Sequence, residues 1–349
     1  MFVTRIFAEK GGLERVWTDR MNALSEDPSY VIFLVTTDQG DHPVPYPLSK
    51  KVHHIDLKVR LTRYYSCSGF RRIFVYWQLM SKFHGRMHTL LSEVEPDILI
   101  GTTSTFTDAL IRCKGNIPLV VESHGLYERP YHMEKMTLFK RIKAYFHYRT
   151  LAKADMLVSL TKADGAQWQK LCRHVCVIPN LAHLNPLSEY STCESKKVIF
   201  VGRNDPQKGY EMLREIWALV QKRRPDWSLS IHSQTADIMA QYRQSSILIV
   251  TSVYEPFGLV MPEAMSCGVP VVAFDCPYGP SEIITDGYDG FLIKSGDVNA
   301  FVEKLILLMD DDGLRKRMGQ HAVASSRRYS KERIIPLWRG LYDKLSGKN

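Results

Sequence analysis

The sequence has 349 residues, of which 45% are hydrophobic and 24% are charged, and its formal net charge is +9. A chain of this length and composition can form two domains of ordinary size, and the composition excludes intrinsic disorder. The first residues lack the features of a secretory signal, and no run approaches the roughly 20 apolar residues that a membrane-spanning helix needs.

The seven cysteines are scattered without Cys-x-x-Cys pairs, which fits reduced thiols better than a disulfide framework. We therefore expect a cytoplasmic protein. The excess positive charge indicates an anionic partner, and charge alone leaves open nucleic acid, an anionic membrane surface or a phosphorylated substrate. Because no helix-turn-helix, zinc-finger or RNA-binding motif is recognisable, we expect no nucleic acid.

Along the first half, short apolar runs alternate with helix-length segments, as in parallel sheets covered by helices. The predicted strands are 2–6, 30–36, 98–101, 119–123, 156–160 and 175–178. The predicted helices are 12–24, 73–92, 107–113, 137–152 and 162–172. We expect a Rossmann-like N-terminal domain over residues 1–182 and a polar linker over residues 183–196.

After the linker the alternation restarts, with strands predicted at 197–201, 227–231, 247–251, 269–274 and 290–293. Helices are predicted at 210–222, 263–267, 281–284, 297–309, 313–325 and 331–345. We expect a second Rossmann-like domain over residues 197–330, and a C-terminal helix within 331–349 that packs back on the N-terminal domain. The predicted fold class is α/β, with two doubly wound domains facing a cleft at the carboxyl ends of their strands.

Two glutamates follow the predicted strand 247–251. Glu255 lies in the loop after the strand, and Glu263 lies in the first turn of the helix that begins around Pro262. A carboxylate accepts charge-assisted hydrogen bonds from the vicinal hydroxyls of a sugar. A glutamate at a helix N-terminus also stabilises the helix by about 0.3–1 kcal/mol on its own, but the whole block favours binding.

The block 251–272, with its paired glutamates and the following Ala-Met-Ser-Cys-Gly-Val-Pro-Val-Val, resembles the retaining glycosyltransferases of family 4, which have the GT-B fold. The resemblance implies that Glu263 binds the ribose of a nucleotide sugar and that Glu255 binds the transferred sugar. It also implies that three backbone amides lie near the same sugar or its phosphate, those of Phe257, Gly258 and Leu259.

The strand at 197–201 is followed by a loop with two glycines and two cations, Arg203 and Lys208. In the family this loop lies under the donor diphosphate, where fixed cations stabilise the charge that develops as the sugar–phosphate bond breaks. Arginine binds phosphate bidentately, and lysine binds it as a point charge. A surface loop with solvated charges explains the Gly/Arg/Lys pattern alone equally well, but the glutamate block downstream favours a phosphate site.

In the N-terminal domain, Gly11 and Gly12 stand between the first strand and helix, where backbone amides can meet phosphate or acceptor. His124 follows a buried strand, where a lone histidine is more often structural. The resemblance implies that His124 contacts the donor sugar. It also implies that the departing phosphate oxygen accepts the acceptor's proton, so that no protein nucleophile is required.

The block 273–290 resembles a bacterial branch of the family that builds lipopolysaccharide, capsule or lipid-linked glycans, including N-acetylgalactosaminyltransferases and galactosyltransferases. The resemblance implies transfer of a hexose or N-acetylhexosamine from a nucleotide sugar, expected to be a UDP-sugar, to a glycan or lipid-linked glycan. No His/Cys cluster has metal-binding spacing, and this fold generally works without a metal, so we expect no metal and no further cofactor.

Two segments, 58–77 and 135–153, mix cations with aromatic residues, and the second has the spacing of a basic amphipathic helix. An anionic membrane surface explains both, and would place the protein at the inner face of the cytoplasmic membrane. A solvated helix face and a buried aromatic core explain either segment equally well.

One departure from the family lies at residues 232–236, where members usually carry a further loop, helix and strand against the nucleotide base. The C-terminal domain is therefore expected to be trimmed. The alternative function is a catalytically impaired GT-B-fold binding protein.

Overall fold

The computed structural model describes residues 1–104, 106–125, 138–187, 189–233 and 237–347, without the side chains of residues 138–141 and 143. The chain divides into two compact units. The first unit contains Met1–Ile178 together with Ile335–Asn349, and the second contains Pro179–Ile334.

In the described part of the first unit, seven strands form one parallel sheet in the order β3-β2-β1-β4-β5-β6-β7. These strands are β1 (Phe2–Val3), β2 (Ile32–Thr36), β3 (Val52–Asp56), β4 (Leu99–Thr102), β5 (Leu119–Ser123), β6 (Met156–Ser159) and β7 (Val175–Val177). The helices are α1 (Gly12–Ser25), a 3-10 helix (Leu61–Tyr64), α2 (Gly69–Val94), α3 (Thr107–Cys113), α4 (Leu138–Leu151) and α5 (Lys162–Trp168).

Five strands form the parallel sheet of the second unit, again counted over the described residues, in the order β12-β11-β10-β8-β9. They are β8 (Lys197–Val201), β9 (Ser228–His232), β10 (Ile247–Val250), β11 (Val271–Asp275) and β12 (Gly290–Lys294). The helices are a 3-10 helix (Pro206–Lys208), α6 (Tyr210–Arg223), α7 (Ile238–Arg243), α8 (Val260–Ser266), α9 (Gly279–Ile283), α10 (Val298–Asp310), α11 (Asp312–Ser326) and a 3-10 helix (Arg327–Tyr329).

The central strands are apolar because both faces of each sheet are covered. Every residue of β5, β6 and β10 is buried, as expected for parallel strands covered on both faces. The last helix, α12 (Lys331–Ser346), lies mostly in the first unit. There the ring of Trp338 lies 3.7 Å from the guanidinium carbon of Arg20.

The polar segment 183–196, which the sequence predicts as a linker, belongs to the second unit. The backbone N–H of Asn185 donates to Ser266 Oγ at 2.9 Å, and that of Ser191 donates to the carbonyl of Cys267 at 2.8 Å. Cys193 is 2% exposed. These hydrogen bonds hold the segment against the second unit, and its role as a linker stays a prediction.

Among the described residues, no helix is both long and apolar enough to cross a membrane.

Candidate active site

The loop after β8 is held in one conformation by its own residues. Asp205 caps the short 3-10 helix by accepting a hydrogen bond from the backbone N–H of Lys208 at 3.2 Å. Gly209 ends this turn with a φ of 64°, in the left-handed region. A Cβ on Gly209 would lie 2.0 Å from the carbonyl oxygen of Thr251, so only glycine fits this close approach.

Several hydrogen bonds join this loop to the residues that follow β10. Thr251 donates through Oγ1 to the carbonyl of Lys208 at 2.9 Å, and Val253 N–H donates to the carbonyl of Gln207 at 2.8 Å. The side-chain amide of Gln207 donates to the carbonyl of Tyr254 at 3.2 Å. Because β8 and β10 are neighbours in a parallel sheet, their carboxyl-terminal loops meet at one edge.

This edge brings together two of the predicted site residues. Lys208 Nζ lies 2.6 Å from Glu255 Oε2, and Ser252 Oγ donates to the same oxygen at 3.1 Å. The side chain of Lys208 is 17% exposed and that of Glu255 is 8% exposed. Among the described residues both donors reach Oε2, which leaves Oε1 to accept a hydrogen bond from a ligand.

The backbone of Glu255 is fixed by the loop that follows β11. Its N–H donates to the carbonyl of Pro277 at 2.7 Å, and its carbonyl accepts from the amides of Tyr278 and Gly279 at 3.0 and 2.8 Å. A Cβ on Gly279 would lie 1.9 Å from the carbonyl oxygen of Phe257, so this contact also requires glycine. The carboxylate of Glu255 is therefore held by loops from three adjacent strands.

Between the two glutamates, backbone amide groups rather than side chains are available to a ligand. The ring of Phe257 is buried against Tyr329, with the ring centroids 5.3 Å apart. Gly258 has a φ of 94°, and a Cβ there would lie 2.8 Å from Glu255 Cγ. In the described part of the chain, the amide N–H groups of Phe257, Gly258 and Leu259 have no acceptor, so they can bind an anion or a sugar oxygen.

Glu263 lies in the first turn of α8 and is 6% exposed. The hydroxyl of Tyr242 lies 3.5 Å from Glu263 Oε2, and Tyr242 is fully buried in α7. A buried carboxylate needs such partners, because removing its charge from water is costly. Sequence reasoning missed Tyr242, since α7 was not predicted and only the spacing of Met239 and Tyr242 hints at a buried helix face.

Arg203 lies in the same loop as Lys208 but points elsewhere. Its Nε is 3.6 Å from Asp205 Oδ2, and its side chain is 70% exposed. An exposed pair at this distance is weak, so the guanidinium can move to another anion without disturbing the core.

In the first unit, His124 belongs to a buried polar network. His124 Nε2 lies 2.9 Å from Glu122 Oε2, and Trp17 Nε1 donates to the same oxygen at 3.2 Å. Arg20 donates to the other oxygen of Glu122. Burial acts to raise the pKa of Glu122, but the Arg20 charge and the hydrogen bond from His124 lower it to about 2. Glu122 is therefore ionised, and the proton between the two residues is carried by His124 Nε2.

Gly11 and Gly12 stand at the start of α1, as predicted from the sequence. Glu14, in the first turn, places Oε2 2.5 Å from where a Cβ on Gly11 would stand. The helix N-terminus thus already has a carboxylate beside it. Phosphate or acceptor binding at these glycines stays a prediction.

The predicted trimmed segment is only partly described, because residues 234–236 lie outside the described residues. On either side of them, the edge strand β9 ends at His232 and α7 begins at Ile238. No group of three or more potential metal ligands occurs among the residues that the structure describes.

Two family models match the chain. The model for glycosyl transferases group 1 matches residues 231–324, and the model for glycosyltransferase family 4 matches residues 10–186, which is about half of the chain. The chain belongs to glycosyltransferase family 4. This family 4 member is therefore a glycosyltransferase, and its two parallel-sheet units have the GT-B fold.

Individual relatives agree with this assignment. An uncharacterised glycosyltransferase of Haemophilus influenzae is 27% identical over 286 residues, covering 73% of this chain and 79% of the relative. A Campylobacter jejuni N-acetylgalactosaminyltransferase, whose name gives an undecaprenol-linked acceptor, is 21% identical over 94% of each chain. The solved structure of Anabaena HepE with UDP and glucose has a TM-score of 0.71 at 16% identity, covering 99% of this chain and 98% of HepE.

Proposed function

We propose that this family 4 enzyme is a retaining glycosyltransferase that moves a hexose or N-acetylhexosamine from a UDP-sugar to a lipid-linked glycan in bacterial surface-polysaccharide biosynthesis. The observation that carries the proposal is the Lys208–Glu255 pair at the carboxyl ends of β8 and β10, where open parallel sheets bind ligands. The UDP and glucose of HepE and the undecaprenol-linked acceptor of the Campylobacter relative support the choice of substrates.

The proposed role of Lys208 and Arg203 is to stabilise the leaving UDP. An ammonium group has three N–H donors, so Lys208 can keep its bond to Glu255 and also donate to a phosphate oxygen. Arg203 can leave Asp205 and bind the diphosphate bidentately. These side chains supply positive charge where negative charge develops, so the proposed reaction needs no metal ion and no further cofactor.

The remaining groups bind the two ends of the donor. Glu255 Oε1 accepts a hydrogen bond from a hydroxyl of the transferred sugar, with the nearby Gly258 amide as a further contact. In the first unit, the residue proposed to contact the donor sugar is His124. Glu263 accepts hydrogen bonds from the ribose hydroxyls. The departing phosphate oxygen takes the proton of the acceptor hydroxyl on the same face, so the new bond keeps the configuration of the donor sugar.

The proposal is tested with a panel of nucleotide sugars and a lipid-linked glycan acceptor, by measuring released nucleoside diphosphate and the anomeric configuration of the product. We expect release from UDP-sugars and a retained configuration. Glu255→Gln should lower turnover at least tenfold with UDP affinity unchanged, whereas Glu263→Gln should weaken UDP binding. The exposed Glu215 of α6 provides the matched control, and Glu215→Gln should match the wild type. Inverted products would contradict the mechanism.

A second candidate function is a GT-B-fold binding protein with impaired catalysis. The short connection from His232 to Ile238 favours it, because the family's base-contacting segment would have to lie there. This candidate predicts that the wild type binds UDP in calorimetry but releases no nucleotide from any donor.

For the proposed glycosyltransferase, the proposed location is the inner face of the cytoplasmic membrane, where a lipid-linked acceptor would be met.

A further inference from the structure

The N-terminal half of α2 exposes a row of large apolar side chains. Phe70, Ile73, Phe74 and Trp77 are 92%, 56%, 70% and 67% exposed. Their spacing of three to four residues puts them on one face of the helix, and we call these four residues the aromatic face. Contiguous apolar patches of this kind are rare on monomeric proteins and indicate an interaction site.

Positive charge surrounds the aromatic face. Residues 57–92 contain no Asp or Glu and carry the cations Lys58, Arg60, Arg63, Arg71, Arg72, Lys82 and Arg86. Desolvation and then the neighbouring charges of Arg86, Arg60 and Arg63 lower the pKa of Lys82, as expected where positive charge is not neutralised. Arg63, in the preceding 3-10 helix, and Arg71, next to Phe70 in α2, are both exposed.

The rest of α2 anchors this surface. The buried residues of the helix begin at Leu79 and continue through Phe83 and Met87 into the core of the first unit. At the other end, the guanidinium of Arg72 lies 4.2 Å from the ring of Tyr64, in the preceding 3-10 helix. The aromatic face is therefore presented by a helix whose far half is fixed.

We propose that the aromatic face and its cations dock this enzyme on an anionic lipid bilayer, with Phe70, Phe74 and Trp77 entering the interfacial region. Both properties are needed for this choice of partner. A second copy of the chain would bring two positive surfaces together. The phosphate backbone of a nucleic acid duplex would leave the apolar side chains in water, and the sequence has no recognisable motif for binding single strands. A bilayer with anionic headgroups satisfies both. The inference deepens the proposed function, because it names where a lipid-linked acceptor is met.

Trp77 gives a direct measurement on the full chain. Of the six tryptophans, Trp77 is 67% exposed, whereas Trp217 is half-buried and the others, Trp17, Trp168, Trp227 and Trp338, are at most 4% exposed. We expect its fluorescence to shift to shorter wavelength with phosphatidylglycerol-containing vesicles at low salt, and not with phosphatidylcholine alone. Trp77→Phe should remove the shift while most co-sedimentation remains. No shift, or equal shifts with both vesicles, would overturn the proposal.

Paired variants test the face itself. Phe70→Gln with Phe74→Gln should weaken co-sedimentation with anionic vesicles at least tenfold, because both side chains are exposed and the fold should survive. The matched control is Leu307→Gln with Leu337→Gln, on α10 and α12, where the side chains are 40% and 49% exposed. Circular dichroism melts of both variants should match the wild type. Equal weakening in the control would overturn the proposal.

Two further measurements separate the remaining outcomes. Arg63→Gln with Arg71→Gln should weaken binding to anionic vesicles and reduce its dependence on salt. The reason is that salt screens the attraction between these cations and the anionic headgroups. In sedimentation without vesicles we expect the wild type not to self-associate through the aromatic face. Self-association that the Phe70 and Phe74 substitutions abolish would instead assign the face to a second copy of the chain. Donor hydrolysis in solution should be unchanged in all these variants. If the wild type hydrolyses no donor but docks as expected, the proposed function fails and the docking surface stands.

Discussion

Lys208 Nζ and Glu255 Oε2 lie 2.6 Å apart, in loops that leave the neighbouring strands β8 and β10. This ion pair links the group proposed to bind the donor phosphate to the group proposed to bind the donor sugar. Because both side chains are largely buried, removal of one partner leaves the other without an opposite charge beside it. The pair therefore couples the binding chemistry of the site to its stability.

The coupling predicts non-additive effects of substitution. Lys208→Met should lower the free energy of unfolding more than the double variant Lys208→Met/Glu255→Gln, because it alone leaves an unpaired buried carboxylate. Each single variant should lose about 2–4 kcal/mol of transition-state stabilisation. Urea unfolding and donor turnover of all four proteins form a double-mutant cycle, with an expected coupling of about 0.5–3 kcal/mol. Strictly additive effects would mean that the pair does not act as a unit.

Arg203 should affect catalysis without affecting stability. Its side chain is 70% exposed and pairs only with Asp205 among the described residues, at 3.6 Å. Arg203→Ala should therefore leave the melting temperature unchanged. Donor turnover should slow, because the activation free energy rises by about 2–4 kcal/mol. Arg214→Ala, at an exposed arginine of α6, is the control and should change neither quantity. Wild-type turnover in Arg203→Ala would remove the diphosphate role.

Much of the fold follows from local sequence pattern. The buried strands β5 and β8 and the helix α3 coincide with the predicted ranges, because continuous apolar runs and helical periodicity are properties of short segments. Strand β3 was not predicted, since its sequence Val-His-His-Ile-Asp has no apolar run and it is a half-exposed edge strand. The backbone pairing with β2 makes this segment a strand, although its own residues have no strand pattern.

The site residues were predictable as types but not as contacts. The sequence pattern predicts Lys208 and Glu255 in separate loops, and their pairing depends on β8 and β10 becoming neighbours across about fifty residues of chain. No local pattern predicts Ser252 as a partner or the buried charge of Arg20, and the spacing of Met239 and Tyr242 indicates only a buried helix face. Such contacts are set by strand order and packing, which short motifs do not encode.

Close backbone packing predicts that alanine substitution has opposite effects on stability at two glycines, Gly279 and Gly85. In Gly279→Ala the new Cβ would lie 1.9 Å from the carbonyl of Phe257, so the loops around Glu255 must shift. We expect a loss of stability and of donor turnover together. Gly85, inside α2, has open space around a new Cβ, so Gly85→Ala should stabilise the protein by up to about 1 kcal/mol. Thermal melts of both variants measure the contrast, and equal effects would refute it.

The buried network of Glu122 predicts a specific dependence of stability on pH. The pKa of this carboxyl is about 2 in the folded protein, against an ordinary value of 4.5. A lowered pKa means that the charged form favours folding. The stabilisation is therefore complete above about pH 4.5 and is lost as the pH falls towards 2.

Glu122→Gln removes this titration and leaves Arg20 without its buried partner. At pH 7 the variant should lose about 3–5 kcal/mol of unfolding free energy, as when one member of a buried ion pair is removed. As the pH falls from 4.5 to 2, the wild type should lose stability faster than the variant, and the two should converge. Urea titrations across this range measure both slopes. Glu215→Gln, at an exposed residue of α6, is the control and should leave the profile unchanged. Parallel profiles of wild type and Glu122→Gln would mean that Glu122 is not the group that titrates.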